Sequence, residues 1–531
     1  MRFQDRLFFI SKSSLATVLI SALPVLGSSD AGNHSENAKT HGFFSYGARF
    51  VVRYVKASYR DDPFRTFLEL CLVLFIVWYV SKQKYKFNQV DLKLSEKDIE
   101  ELIKEWKPEP IVPLMTTHEK EVFDNFPVID SPTGTVLKLD NGKSVINFVS
   151  HDFLGLMNNA NAKEKAVNTL RKYGVGPCGP PGFYGTLDVH MELEALISSF
   201  LKADATILYS QAMSVCVSVI PCFSKRGDII VADDQVNFML QQGILLSRSR
   251  VYWYKHNDME DLKKVLEKID QVESKKKGPI PRKFIVAEGL SMSTGNILKL
   301  DKIMELKKQF KYRLILDESL AIGAIGPRGA GTTDLFGISV KDVEILIGSL
   351  CLAFGGSGGF CCSSKQLIGH QRLSGAGYVF SAAMPAIMAI TAADGIRRLE
   401  TDSYALLNLL RRNIATLRSQ LGRIKDIVIE GDIRSPQMHI RLTESAYKKC
   451  ISSNLNSSNE QTWENEDHVL LNIVSHMRDN GILVSQCVYV KEHEHNIPRP
   501  SIRVLVSCTH TQQQLEKLSQ SLEEAIKAIA K

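Results

Sequence analysis

Between Thr206 and Gly348, six short apolar runs alternate with amphipathic stretches, a texture that few architectures accommodate. The runs are Thr206–Tyr209, Asp228–Ala232, Val251–Tyr254, Phe284–Ala287, Leu314–Asp317 and Glu344–Gly348. They are rich in Val, Ile, Leu and aromatic residues and too short for helices, so they read as strands. His190–Leu201, Val236–Leu246, Met259–Ile269 and Lys302–Phe310 carry apolar residues at helical spacing instead. Strand and helix in turn imply an α/β domain whose sheet is mostly parallel and covered by helices. Ligands of such sheets bind at the strand ends, so function is sought in the loops that follow the runs.

Upstream, Ser95-Glu96-Lys97-Asp98 has the spacing of a capping box and opens a short helix ending before Pro108. Thr135–Leu139 and Ser144–Val149 flank Asp140-Asn141-Gly142-Lys143, a strong hairpin signal. After Pro385 the pattern changes. Two helical stretches, Ala386–Leu399 and Tyr404–Leu421, lead into strand-like Gln437–Leu442, Ile482–Val490 and Ile502–Ser507, with a last helix near Gln512–Ala530. That is a smaller α+β domain, interrupted by the polar segment Ser452–Asp467, which reads as a mobile surface loop. The expected division is residues 1–90, a large domain over 91–385 and a small one over 386–531.

The first ninety residues read as a membrane anchor. Met1–Leu26 has the form of a signal sequence, with Arg2, Arg6 and Lys12 before an apolar stretch and small residues after it. Asn33-His34-Ser35 is a glycosylation sequon. The run Phe67–Val80, extendable to Phe64, is expected to span a membrane over about residues 64–80. Trp78-Tyr79 then form an aromatic belt before the basic flank of Lys82, Lys84 and Lys86. The net charge of +7 is spread along the chain without a basic run of five or six, which gives nucleic-acid binding no support. The ten cysteines begin at Cys71 and form no CxxC pair, and adjacent Cys361-Cys362 suit neither zinc nor an ordinary disulfide. They read as reduced thiols of a cytosolic domain.

Four segments end the hairpin or follow expected strands and helices: Asn147–Leu156, Tyr173–His190, Leu316–Leu320 and Gly348–Gly359. The second contains Gly174-Val175-Gly176-Pro177-Cys178-Gly179-Pro180-Pro181-Gly182-Phe183-Tyr184-Gly185-Thr186. In this order and spacing the four resemble the α-oxoamine synthases, pyridoxal 5'-phosphate (PLP) enzymes of the type I aminotransferase-like fold. More narrowly, Tyr173–His190 and Gly369–Ser381 are similar to the non-catalytic first long-chain-base subunits of serine palmitoyltransferase. The likeness runs from about Leu92 to the C-terminus.

A catalytic member of that family needs a lysine for the Schiff base, an acid at the pyridinium nitrogen, a ring-stacking aromatic or His, and amides for the phosphate. Asp317 corresponds to the acid. The lysine falls in a Thr-Lys-Ser-Phe-Gly pattern that here reads Cys351-Leu352-Ala353-Phe354-Gly355, so Leu352 stands where the amine belongs. Leu320 ends what is an Asp-Glu-Ala-His pattern in relatives, and Asn237 aligns with the ring-stacking His. Ala212, in Tyr209-Ser210-Gln211-Ala212, replaces a glycine of the phosphate turn. Without PLP, Asp317 reads first as a helix N-cap or a buried hydrogen-bonding group.

The resemblance further implies sites built at a dimer interface, where Cys178, Tyr184 and Ser381 would reach a partner's active site. Ala382 at the preferred Thr position and Pro181 in place of an Arg depart from the pattern, and His370 and Arg372 read as ordinary surface or interface groups. The implied function is to pair with a homologous catalytic subunit that holds PLP on its own lysine and condenses L-serine with palmitoyl-CoA into 3-ketodihydrosphingosine. The implied setting is the endoplasmic reticulum membrane, with the body facing the cytosol and small activating membrane subunits and regulators attached. Two rivals remain: an active homodimer using an unconventional lysine such as Lys365, and a pure scaffold or regulator. Leu352 opposes the first, and the glycine-rich loop, expensive to order for packing alone, opposes the second.

Overall fold

The Asn141-Gly142 turn closes the expected hairpin, with β1 (Val136–Lys138) antiparallel to β2 (Ser144–Asn147) and Gly142 at a φ of 80°. Positive φ at that turn is what glycine supplies without strain. The computed structural model describes residues 53–54, 56–81, 95–108, 110–112, 114–454 and 463–530. Met1–Leu26, the Asn33 sequon and Lys82, Lys84 and Lys86 lie outside them. The chain divides into two compact units, Met1–Pro113 and Leu114–Lys531.

In the second unit all six apolar runs are strands: β3 (Ala205–Tyr209), β4 (Ile229–Asp233), β5 (Arg250–Tyr254), β6 (Lys283–Glu288), β7 (Arg313–Asp317) and β8 (Ile345–Ser349). A seventh, β9 (Gly359–Ser363), inserts between β3 and β8 and runs antiparallel to both, giving the order β3-β9-β8-β7-β6-β4-β5. The rest of the sheet is parallel, as expected.

Alternate residues point to opposite faces, and here both faces are covered. Ile229 and Val231 of β4 and Leu314 and Leu316 of β7 join one core with the helices Asp188–Leu201, Met259–Glu273 and Leu300–Phe310. Ile230, Ala232 and Ile315 join another with Ala212–Phe223 and Phe238–Ser247. Burial on both faces is why these strands read as continuous apolar runs rather than alternating ones.

The two helices expected after Pro385 are one, Ala386–Leu421, 36 residues long. Its first half, through Leu407, packs in the large domain's core, and its second, from Leu410, in a third core that belongs to the small domain. There β10 (Ile427–Glu430), β11 (Gln437–Leu442), β13 (Ser485–Gln486) and β14 (Ile502–Leu505) form an antiparallel sheet, while β12 (Ile482–Leu483) extends the hairpin alongside β2. The polar segment 452–467 is entered by a helix ending at Asn454 and left by one starting at Trp463, and residues 455–462 lie outside the described residues.

In the first unit, the capping box is present, Ser95 and Asp98 exchanging hydrogen bonds at the head of the helix Glu96–Glu105. The expected membrane span is not. Among the described residues no helix is long and apolar enough to cross a membrane, which overturns the membrane anchor, the transmembrane helix and the placement in the endoplasmic reticulum membrane that depended on them. The helix Pro63–Ser81 does form, but its first turns hold the ion pair Arg65–Glu69 at 3.2 Å and Thr66 bonded to Ser58 at 3.0 Å. What remains apolar is Leu70–Val80, about 16 Å of helix against a hydrocarbon core of about 30 Å.

Candidate functional site

Parallel register brings the two carboxylates that matter side by side. Glu288 ends β6, Asp317 ends β7, and the two are paired across the ladder. Both are buried at the carboxyl edge of the sheet. Asn237 caps the helix that follows β4, accepting from Leu240 N–H at 3.0 Å, and so its amide is held over the same edge. Its Nδ2 donates to Glu288 Oε1 and, at 3.0 Å, to Asp317 Oδ2. Asp317 Oδ1 accepts the backbone N–H of Ser319 at 2.9 Å. Both carboxyls therefore have donors from within the chain.

Burial raises the Asp317 carboxyl above its ordinary range, and it raises Glu288 well above, with the neighbouring Asp317 charge adding to it. The same burial holds the Cys216 thiol protonated. Next in sequence, Glu318 is wholly buried and accepts from Thr332 N–H at 3.0 Å, from the Thr332 hydroxyl and from Thr333 N–H at 3.3 Å. Its carboxyl is pushed up to about 7 by burial. Glu288 and Glu318 escaped the sequence reading. For Glu288 a signal existed, a carboxylate at the end of a strand adjacent to that of Asp317.

Leu320 and Leu352 do not join this polar group. Leu320, in the turn after β7, is buried in the small domain's core, and Leu352, in the loop after β8, is half-buried against the same cluster. That loop folds back on itself, Leu350 N–H reaching Gly358 O at 3.0 Å and Gly356 N–H reaching Leu350 O at 3.1 Å. No amine belongs to the set formed by Asp317, Asn237, Glu288, Leu320 and Leu352.

The other candidates gather elsewhere. Ser381 lies 3.1 Å from Ser210 of the expected phosphate turn, hydroxyl to hydroxyl, and both line a pocket with Pro181, Thr186 and Met384. Cys178 and Tyr184 are exposed at the tip of the glycine-rich loop, both in left-handed backbone, with φ of 52° and 66°. Such values are uncommon outside glycine, so the turn must be held. Phe183 and Gly185 donate to Pro180 O at 2.9 and 3.0 Å, and Ala383 donates to Gly179 O at 2.9 Å. His190 caps the following helix through Nδ1 and reaches Met384 O through Nε2 at 2.6 Å, tying loop and pocket together. Arg372 is engaged structurally, bonded to Glu194 and to the Tyr378 hydroxyl, each at 2.7 Å, and His370 sits on the surface against Phe223. All ten cysteines are free thiols.

The family model for aminotransferase class I and II matches residues 143–522. Serine palmitoyltransferase 1 of Dictyostelium discoideum is 39% identical over 458 residues, 85% of this chain and 91% of that protein. Serine palmitoyltransferase 1 of Saccharomyces cerevisiae is 33% identical over 517 residues, 91% of this chain and 92% of its own length. Among solved structures, serine palmitoyltransferase from S. paucimobilis with a bound PLP–myriocin aldimine superposes with a TM-score of 0.67 at 19% identity, covering 78% of this chain and 96% of that one. The 8-amino-7-oxononanoate synthase of Francisella tularensis does so with a TM-score of 0.57 at 22% identity, over 72% and 98%. The structures speak for the fold. Taken with the sequence relatives and the matched model, they leave one conclusion: the chain belongs to the class I and II aminotransferase family and, within it, to the serine palmitoyltransferase 1 group.

Proposed function

We propose that this chain is the non-catalytic half of a heterodimeric serine palmitoyltransferase, paired with a homologous subunit that carries PLP on its own lysine. The pair condenses L-serine with palmitoyl-CoA, releases CO2 and CoA, and yields 3-ketodihydrosphingosine. The observation that carries this reading is the state of the retained acid. Asp317, which a PLP enzyme keeps for the pyridine nitrogen, is bonded to Asn237 and to Ser319 N–H, and Leu352 stands where the family resemblance places the Schiff-base lysine. An alkyl side chain forms no imine, and Ala212 adds a Cβ in the phosphate turn, so these residues do not fit PLP.

The rival lysine is disfavoured by topology. β9 runs back along β8 from Gly359, opposite Ser349, to Cys362, opposite Leu346. Lys365, exposed at the start of the next helix, therefore lies beyond the far end of the sheet, about 15 Å of strand from the edge where Asp317 sits. What this chain supplies instead is the loop that carries Cys178 and Tyr184. A fully exposed tyrosine held in left-handed backbone by a network of main-chain bonds suits a wall for the partner's acyl-CoA site better than internal packing.

The test is PLP content and condensation activity of the chain purified alone and with a catalytic partner. The expected result is no aldimine absorbance alone, and both PLP and activity in the pair. An aldimine in the lone chain, reducible by borohydride onto one of its lysines, would sink the proposal. A pair whose kinetics and amino-acid choice ignore substitution of Cys178 and Tyr184 would favour a pure scaffold.

A further inference from the structure

Different bonds hold the glycine-rich loop's shape and its placement. Shape comes from within: Phe183 and Gly185 donate to Pro180 O at 2.9 and 3.0 Å, and the Thr186 hydroxyl donates to Pro181 O at 2.8 Å. Placement comes from the segment 381–385. Ala383 N–H reaches Gly179 O at 2.9 Å as the loop begins, and His190 reaches Met384 O at 2.6 Å just after it ends. Pro385 then caps Ala386–Leu421, the 36-residue helix packed in the cores of both domains. Through residues 383 and 384 the loop is referred to that helix.

The loop's stem has a second fastening of another kind. Tyr173 donates its hydroxyl to Asp188 Oδ1 at 2.6 Å, and Lys172 pairs with Asp188 at 3.6 Å. These groups are exposed, where such pairs contribute little. His190 is buried, and its two ring nitrogens have opposite tasks. Nδ1 accepts Leu187 N–H at 3.0 Å, so it carries no proton. Met384 O only accepts, so Nε2 carries the proton and donates it. One tautomer of the neutral ring satisfies both bonds, and burial holds the imidazole below its ordinary range, in keeping with that state.

A helix cap needs the acceptor alone. Glutamate or glutamine at the third helical position, where His190 stands, supplies it in a capping box. The donor half of the imidazole reaches beyond its own helix instead. It meets the segment that carries Ser381, which lines one pocket with Pro181 and Thr186.

We propose that His190 is a positioning residue for the pair's acyl-CoA site, joining the end of the loop to residue 384 and so fixing where Cys178 and Tyr184 project. The inference deepens the proposed function and rests on its reading of that loop as a wall. Two substitutions separate the brace from the cap. His190→Glu keeps an acceptor for Leu187 N–H and has no donor for Met384 O. His190→Gln offers both an acceptor and a donor.

The experiment compares the purified pairs by steady-state kinetics, PLP absorbance and hydrogen exchange of residues 174–187. With His190→Glu, exchange in the loop quickens and the KM for palmitoyl-CoA rises roughly tenfold, while PLP content and the KM for L-serine hold. His190→Gln restores wild-type behaviour. If His190→Glu prevents pairing, His190→Met, which fills the space and makes neither bond, must show the same rise. A His190→Glu pair that matches wild type in exchange and kinetics overturns the proposal, since the imidazole is then only a cap. Loss of PLP and of kcat with no change in either KM overturns it too, in favour of a role in folding alone. Quickened exchange with unchanged kinetics leaves the brace in place and overturns the proposal through the wall it rests on.

Discussion

Replacing Asn237 by alanine tests whether the chain's own amide has taken over the acid of the site. Three interactions are lost at once: the cap on Leu240 N–H, the bond to Asp317 Oδ2 and the bond to Glu288 Oε1. An N-cap amide is worth about 1 kcal/mol. Each buried acceptor left without its donor costs roughly 1–3 kcal/mol. Relaxation and the second donor on Asp317 reduce the sum, so about 3–5 kcal/mol of destabilisation is expected. Asn237→Asp keeps the cap but brings a third carboxyl to two buried ones. It should be at least as destabilising at pH 8 and partly relieved near pH 5, where protons can bridge the group. The readout is the denaturant midpoint of the purified pair at fixed concentration, with hydrogen exchange on the helix Phe238–Ser247. The reasoning also requires coupling of about 1 kcal/mol or more in a double-mutant cycle with Asp317→Asn. A loss near 1 kcal/mol, cap alone, with no coupling would refute it.

Three further outcomes follow from neighbouring geometry. Leu352→Lys should give no aldimine absorbance in the lone chain, because Asp317 is already engaged; a new band near that of an internal aldimine would show otherwise. Gly185→Ala would place a Cβ 1.9 Å from Gly179 O, so the loop must open, and the pair's activity should fall on the order of a hundredfold while the fold persists; unchanged kinetics would remove the loop from the site. Glu318, at about 7 when folded against an ordinary 4.5, keeps a proton that the unfolded chain releases. Its stabilising effect is therefore full below pH 4.5 and is lost as pH rises through about 7, a change of about 3 kcal/mol, and Glu318→Gln should remove that part of the decline between pH 5 and 8.

What the sequence revealed, and what it hid, divides by the range of the forces involved. The six apolar runs were legible because a strand buried on both faces announces itself in local composition, as Ile229-Ile230-Val231 does. The break placed between Leu399 and Tyr404 was wrong for the opposite reason. Glu400-Thr401-Asp402-Ser403 has poor helix formers on an exposed turn, yet the helix continues because Leu399 and Leu407 on either side are packed in one core. β9 was missed behind a glycine run, since nothing local marks Gly359–Ser363 as the strand that fills the gap between β3 and β8. Ile482–Val490 read as one strand and yields two short pieces in different sheets. At the site, the alignment of Asn237 with a ring-stacking His came only through family resemblance. That its amide bonds to both Asp317 and Glu288 depends on the meeting of β4, β6 and β7, which no window of sequence contains.

In the proposed function, that meeting also bears on why a chain with no Schiff-base lysine keeps the acid at all. A buried carboxyl with no partner is among the more destabilising groups a core can hold, and in a PLP enzyme the pyridinium nitrogen is that partner. If Leu352 stands in the lysine's place, as the proposed function has it, the chain must either lose Asp317 or find it another donor. Asn237 is that donor, and it is placed there by its role as a helix cap, which fixes its backbone and leaves Nδ2 directed at the sheet edge. In the proposed function, the exchange of a ring-stacking side chain for an amide and the loss of the lysine are two parts of one rearrangement. In the proposed pairing, the edge that a catalytic subunit keeps open for cofactor is closed here with hydrogen bonds. In the same proposal the chain's contribution to chemistry passes outward, to the loop around Cys178 and Tyr184, both held at positive φ.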